Sequence, residues 1–184
     1  SQVPVFSGGG GGSIEKLSTV TTAGAAQVDF DSSLITDTYM TYRIIGSNAR
    51  PVANNVTPQM IVSIDNGTSL DLTVRGSKFH QRLYSDQTGN GYYAASGGVH
   101  QLGNNISNTT TKLAAFDITI YNTRGAVGQK FIQSYYFGNI DGNSDGYLWQ
   151  GASLIETTSK INFLRLNNSS GNIAGTFTLY GIRA

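Results

Sequence analysis

Cysteine is absent from the 184 residues. That one absence removes disulfides, thiolate metal sites and a cysteine nucleophile together. Charge is also scarce: Asp, Glu, Lys and Arg make up 12% of the chain, about half the usual share of ~25%. Twelve basic residues stand against eleven acidic ones, for a net charge of +1. The basic residues are scattered from Lys16 to Arg183 with no cluster able to neutralise a phosphate backbone, so nucleic acid is not expected as a partner. No apolar run approaches the ~20 residues that cross a bilayer, so no membrane partner is expected either. No stretch holds a 3.6-residue apolar period over a dozen positions, which excludes a long helix. No repeat of fixed period appears, which argues against a propeller or solenoid.

What is present is glycine, 23 residues of it, together with abundant Ser, Thr and Asn around short β-forming runs. Lys112–Tyr121 is the clearest half-buried strand: Phe116, Ile118 and Ile120 point one way, Asp117 and Thr119 the other. Ile14–Val20, Gln27–Phe30, Tyr39–Ile45, Gln59–Ile64, Leu70–Val74, Phe79–Tyr84, Gln129–Gly138 and Tyr147–Ile155 read as further strands. Asp31–Ile35 reads as a single helical turn capped by Asp31. Asp65-Asn66-Gly67 is a strong hairpin signal between its two flanking runs. Residues 85–111 are the least patterned and read as long loops with one or two short strands. At the carboxyl end, Ile161–Leu166 and Gly175–Ile182 read as a closing hairpin around the turn-forming Asn167–Asn172. On its second strand Phe177 and Leu179 face inward. Tyr180 and Ile182 then face outward, where they suit a subunit interface. So many short strands and turns predict an all-β fold, a jelly-roll-like two-sheet β-sandwich.

Two parts are expected: residues 14–184 as the sandwich, and residues 1–13 as an extended arm on a glycine-rich tether. Within the arm, Pro4 disfavours helix, and Val3, Val5 and Phe6 offer apolar side chains to a larger assembly. Ordered only on docking, each would contribute about 1.5–3 kcal/mol, multiplied by avidity in an oligomer.

Few constellations promise chemistry. Asp141–Gly146 copies the first half of a calcium loop, but the closing twelfth position is Ala152, and a plain turn explains it as well. His80 and His100 lack metal-ligand spacing, so neither a metal nor any other cofactor is expected. No G-x-S-x-G elbow marks a serine nucleophile. Glu15 and Glu156, the only glutamates, are the candidates for a glycosidase pair, but no positioned acid–base couple can be nominated and no enzymatic activity is expected. Tyr92, Tyr93 and Trp149 lie beside Asn and Gln and could stack on sugar rings. Tyr135-Tyr136-Phe137 instead suits a strand with one face in the core and the other at a subunit contact.

The ending N-I-A-G-T-F-T-L-Y-G-I-R, residues 172–183, is similar to the closing signature, roughly SGNIxSGTFxLYGI, of a family of bacteriophage virion proteins. The opening strand Leu17–Asp29, the Tyr39–Ile45 strand, Ser63–Gly67, Phe116–Asn122 and the Ile161–Ile182 finish look like the same family. The resemblance implies a jelly-roll-like module displayed on a phage particle, usually as a homotrimer. The expected role is therefore a virion surface protein, a capsid decoration or head fibre, anchored to other virion proteins through Val3, Pro4, Val5 and Phe6. Its alternative is a tail-fibre protein that recognises host cell-surface glycan. A polysaccharide-cleaving enzyme and a free sugar-binding module are the remaining readings.

Overall fold

The computed structural model describes residues 13–70, 72–83, 88–125, 128–139 and 146–183, and within 77–97 it describes the backbone alone. The arm residues Val3, Pro4, Val5 and Phe6 lie outside the described residues, as does most of the Asp141–Gly146 turn. Twelve strands form among the described residues, and no helix. In chain order they begin with β1 (Ile14–Ala25), β2 (Gln27–Phe30), β3 (Thr41–Pro51), β4 (Pro58–Ser63), β5 (Val74–Leu83) and β6 (Thr88–Gly97). They continue with β7 (His100–Gln101), β8 (Ala114–Tyr121), β9 (Lys130–Asn139), β10 (Gly146–Ile155), β11 (Phe163–Asn168) and β12 (Ile173–Ile182).

The strands form two antiparallel sheets. One has eight strands in the order β1-β12-β3-β8-β9-β10-β5-β6; the other has four, β2-β11-β4-β7. The first four of the large sheet, set against the small sheet, reproduce the strand order of a jelly roll, in which the chain passes back and forth between layers. The remaining four widen the large sheet as two hairpins, β9–β10 and β5–β6, each with an unbroken ten-residue register. The expected two-sheet sandwich is therefore the fold of this chain.

Alternation explains which side of each strand is buried. Along β8, Phe116, Ile118 and Ile120 are buried and Ala115 and Tyr121 exposed, as the period of two requires. Along β9, Ile132, Ser134 and Tyr136 face in while Phe131, Gln133, Tyr135 and Phe137 face out. Between the layers, Phe30, Met60, Val62, Leu164 and Leu166 of the small sheet and Tyr42, Ile44, Ile118, Phe177 and Leu179 of the large one belong to a single core.

Across the inner side of the large sheet runs a line of rings. Register sets Phe177, Gly46, Phe116, Tyr136 and Trp149 side by side on β12, β3, β8, β9 and β10. Phe116 lies 5.8 Å from Phe177 and 6.2 Å from Tyr136, Tyr136 is 5.7 Å from Trp149, and Trp149 is 5.2 Å from Tyr147. Phe177 and Phe116 are separated by a whole strand, yet they touch because the residue between them has no side chain. A Cβ on Gly46 would stand 2.3 Å from the Phe116 ring.

Asp31 caps a single turn as expected: Ile35 N–H donates to the Asp31 carbonyl at 2.9 Å and Ser33 N–H to its carboxylate at 2.9 Å. Three other expectations are overturned. Ile161–Ile182 is not a hairpin: β11 pairs with β2 and β4, while β12 pairs with β1 and β3 in the other sheet. Each strand needs its own apolar face buried, and the connection between them arches from one layer to the other. Its backbone is held by neighbours, with Ser169 N–H donating to Thr57 O and Val52 N–H to Asn172 O. The Asp65-Asn66-Gly67 turn does form, with Asn66 at φ 58° and Gly67 at φ 83°. It too joins two sheets, since β4 pairs with β11 and β7 while β5 pairs with β10 and β6, and Leu70–Val74 contributes only Val74 to a strand. Residues 85–111 carry the ten-residue β6: its glycines disguised a strand whose pairing comes from β5.

The line of rings generates a test. Gly46→Ala is expected to cost about 1–3 kcal/mol by overpacking, and Phe116→Leu in the same chain is expected to recover part of that loss. Urea unfolding of the two single variants and the double variant measures the coupling; strictly additive losses would refute the contact as its cause.

Candidate functional site

The two outer faces of the sandwich differ in chemistry. On the small sheet, register aligns Gln27, Asn167, Gln59 and Gln101 in one row and Asp29 beside Arg165 in the next. Arg165 grips Asp29 through two hydrogen bonds of 2.8 Å. That face is polar. On the large sheet the side near β1 is hydroxylic: Thr19 meets Thr178, and Thr21 meets Thr176, both at 3.1 Å. Towards β8, β9 and β10 the same face turns apolar and aromatic.

Phe131, Tyr135 and Phe137 stand in a column on β9 with 44%, 43% and 49% of their surface exposed, and Tyr121 on β8 is 38% exposed. Ile45 on β3 and Ile14 on β1 add exposed apolar groups to the same sheet face. Six of the nine large hydrophobic side chains that are exposed among the described residues therefore share one outer face; Val52, Ile64 and Leu113 lie between strands. Scattered apolar side chains need no explanation, but a contiguous patch does.

Beside the β9 column lies a hollow of about 900 Å³. One wall is Tyr121, Phe131 and Tyr135, the floor is Gly76, Gly151 and Ala152, and Gln150, Leu154 and Arg75 close the far side. The floor is low because Ala152, the outward residue between Gln150 and Leu154, is small; Gly76 and Gly151 present backbone there, the positions of their missing side chains lying on the inner side towards Ser153, Ser134 and His100. A second hollow, of about 470 Å³, adjoins it over β3 and β8 and takes in Arg43, Asp117, Tyr135 and Ile182. The polar groups here are tied to one another. Tyr121 O–H donates to Gln133 Oε1 at 3.2 Å, and Gln133 Nε2–H donates to the Tyr135 hydroxyl at 2.9 Å. Arg43 donates to both carboxylate oxygens of Asp117, from Nε at 2.8 Å and also from Nη2; this pairing holds the guanidinium above its ordinary pKa. Arg75 and Glu156 pair at 2.5 Å at the other border. The charges flanking the patch are thus already matched, and β9 and β10 present no charged group on this side.

Sequence reasoning placed some of these residues and misplaced others. Ile182 and Tyr180 are half-buried on the outer side, and Ile182 shares a hollow with Tyr121 and Tyr135. Tyr135 and Phe137 face out and Tyr136 in, as the alternation predicts. Trp149 does not reach solvent: it is 1% exposed and stacked in the line of rings, so it offers no platform to a sugar. Its Asn- and Gln-rich surroundings misled because one residue's shift along a strand exchanges the two faces. Tyr92 and Tyr93 lie on β6 opposite Phe79 and Lys78, and their side chains fall outside the described ones. Phe131 and Tyr121 were not singled out; the alternation of F-I-Q-S-Y-Y-F carried the signal for Phe131.

The catalytic candidates are dispersed. Glu15 on β1 and Glu156 beyond β10 are separated by four intervening strands, about 24 Å at the usual spacing, far beyond the 5–9.5 Å of a glycosidase pair. Glu15 accepts a 2.6 Å hydrogen bond from the Tyr39 hydroxyl and lies 3.3 Å from Arg183; these hydrogen bonds, Tyr39 first, lower its pKa. His100 is buried between the layers with Nδ1 2.7 Å from Ser153 Oγ and Nε2 2.7 Å from Ser134 Oγ. Two buried serines stand where a triad needs one serine and one carboxylate, and the ring ties β7 to β9 and β10. The His80 side chain is not described. No group of three or more potential metal ligands assembles among the described residues. Comparison with protein-family models, with curated proteins and with solved structures finds no match.

Lys130, the first residue of β9, is fully buried. Its ammonium donates to the Gly125 and Arg124 carbonyls at 3.2 and 3.4 Å, and desolvation lowers its pKa. A lowered amine pKa costs stability while the group is charged, and the cost fades as pH rises from the folded value towards the unfolded value near ~10.4. The wild type is therefore expected to gain stability relative to Lys130→Met between neutral pH and pH ~10. Urea unfolding of both proteins across that range checks it; a constant difference would show that burial of the ammonium carries no cost.

Proposed function

We propose that this chain is a structural protein of a bacteriophage virion, displayed on the particle surface as an oligomer and held there by Val3, Pro4, Val5 and Phe6 of its arm. The jelly-roll order of the sandwich and the ending Asn172–Arg183 support this reading. The observation that carries it is the uncovered apolar face on β8 and β9, beside Ile182. Such a face leaves water when a chain works inside a larger assembly.

Within the virion, a capsid-decoration or head-fibre role suits one sandwich with one arm. The linked Tyr121, Gln133 and Tyr135 favour a second reading, a tail-fibre protein that takes host glycan, because exposed rings beside an amide match the apolar face and hydroxyls of a sugar. Gold labelling of particles with an antibody to this chain distinguishes them by decorating heads or tail tips.

Deleting residues 1–13 is expected to leave a folded sandwich that no longer enters particles. Circular dichroism and the protein content of purified virions check both halves; normal incorporation of the shortened chain would remove the anchoring role.

A further inference from the structure

We propose that the outer face over β8, β9 and β10 seats a second copy of this chain, the aromatic column of one copy entering the hollow of the other. The inference rests on the reading that the protein works as an oligomer and names the surface involved.

Shape supplies the first argument. The ridge and the hollow are neighbours on one continuous face. Phe131 and Tyr135 form the wall of a depression whose floor is Gly76, Gly151 and Ala152. A surface carrying its own projection beside its own recess is complementary to itself, which two-fold association of identical chains requires. The ridge residues alternate with inward Ile132, Ser134 and Tyr136, so the core fixes the strand that carries them.

Area supplies the second. The strands β8, β9 and β10, at about 4.8 Å spacing and about ten residues long at ~3.3 Å, cover roughly 475 Å², and β3 and β12, which carry Ile45 and Ile182 on the same side, bring the face to roughly 800 Å², the share each partner brings to a stable interface.

Charge supplies the third. β9 and β10 present no ionised group here, the flanking Arg43 and Asp117 satisfy one another, as do Arg75 and Glu156, and the chain carries only +1 overall. Among the described residues a polyanion finds no free cationic cluster on this face, and two copies find no strong repulsion. The small sheet's outer face, with Gln27, Asp29, Gln59 and Arg165, offers nothing comparable.

The full chain at micromolar concentration is expected to sediment as more than one copy. Tyr135→Glu, which puts a charge on an exposed ridge position, and Ala152→Tyr, which fills the floor without charge, are each expected to weaken that association more than about tenfold, or ~1.4 kcal/mol. Gln59→Glu on the opposite face is expected to leave it unchanged, and near-ultraviolet circular dichroism confirms that each variant is folded. A wild type that sediments as one chain overturns the proposal. So does association that survives both ridge and floor variants, or one that Gln59→Glu weakens as much. Association lost on deleting residues 1–13 but indifferent to Tyr135→Glu assigns the contact to the arm and also overturns it. If a single chain binds a glycan array and Tyr135→Glu abolishes that binding, the occupant is sugar and not a sister copy. Self-association through this face without incorporation into particles would sustain the inference while removing the virion role; incorporation of a single-chain species would do the reverse.

Discussion

Gly46 leaves no room for a side chain: a Cβ there would stand 2.3 Å from the Phe116 ring. It sits between Phe177 and Phe116 in the register of three adjacent strands, and the missing side chain lets those rings meet at 5.8 Å across a strand that would otherwise part them. From there the rings continue through Tyr136 to Trp149 and Tyr147. The line crosses from the jelly-roll half of the large sheet into the strands that widen it, so it fixes the level at which β9 and β10 sit. Aromatic contacts of this kind add about 0.5–1.5 kcal/mol each to what burial provides, but their larger effect is geometric. They decide which residues of β9 are inside and therefore which are outside.

The outer face follows from that choice. Tyr136 locked inward makes Tyr135 and Phe137 outward, and Ile132 inward makes Phe131 outward. The β9–β10 hairpin adds two things at once: bulky residues on β9 and, between Gln150 and Leu154 on β10, the small Ala152. The jelly-roll part contributes threonine pairs and a matched ion pair to the same face. The scaffold brings Ile14, Ile45 and Tyr121 to this face, and the added hairpin supplies the column of three rings beside them.

Much of this was legible in the sequence. Alternation along Lys112–Tyr121 and Gln129–Gly138 gave both the strands and the faces of their residues, because a period of two is a local property of an extended chain. Partnership is not local. Ile161–Leu166 and Gly175–Ile182 look like two arms of a hairpin, and nothing in their own residues says that they hydrogen-bond to different sheets. The same failure recurs at Asp65–Gly67, where a turn of the expected dihedrals changes layers instead of reversing a strand. Trp149 was misread for a related reason. The polar Gln150 beside it in sequence occupies the other face, while its neighbours in space, Tyr136 and Tyr147, are rings. Glycines disguised β6, whose pairing with β5 is a property of both strands together.

One consequence concerns synthesis. At its side of the large sheet the first strand, β1, has a single hydrogen-bonded neighbour, and that neighbour is β12, the last. Contacts between segments so far apart in a chain close late and slowly, since the intervening residues must be ordered first. Until β12 has been made, Val20 and Leu17 have no strand to lie against, and β3 lacks its partner on the same side. A message cut short before Ile173 yields a body with a gap in its sheet. Synthesis of β12 therefore doubles as an inspection step: only chains that carry Ile173–Ile182 can form the intact sheet.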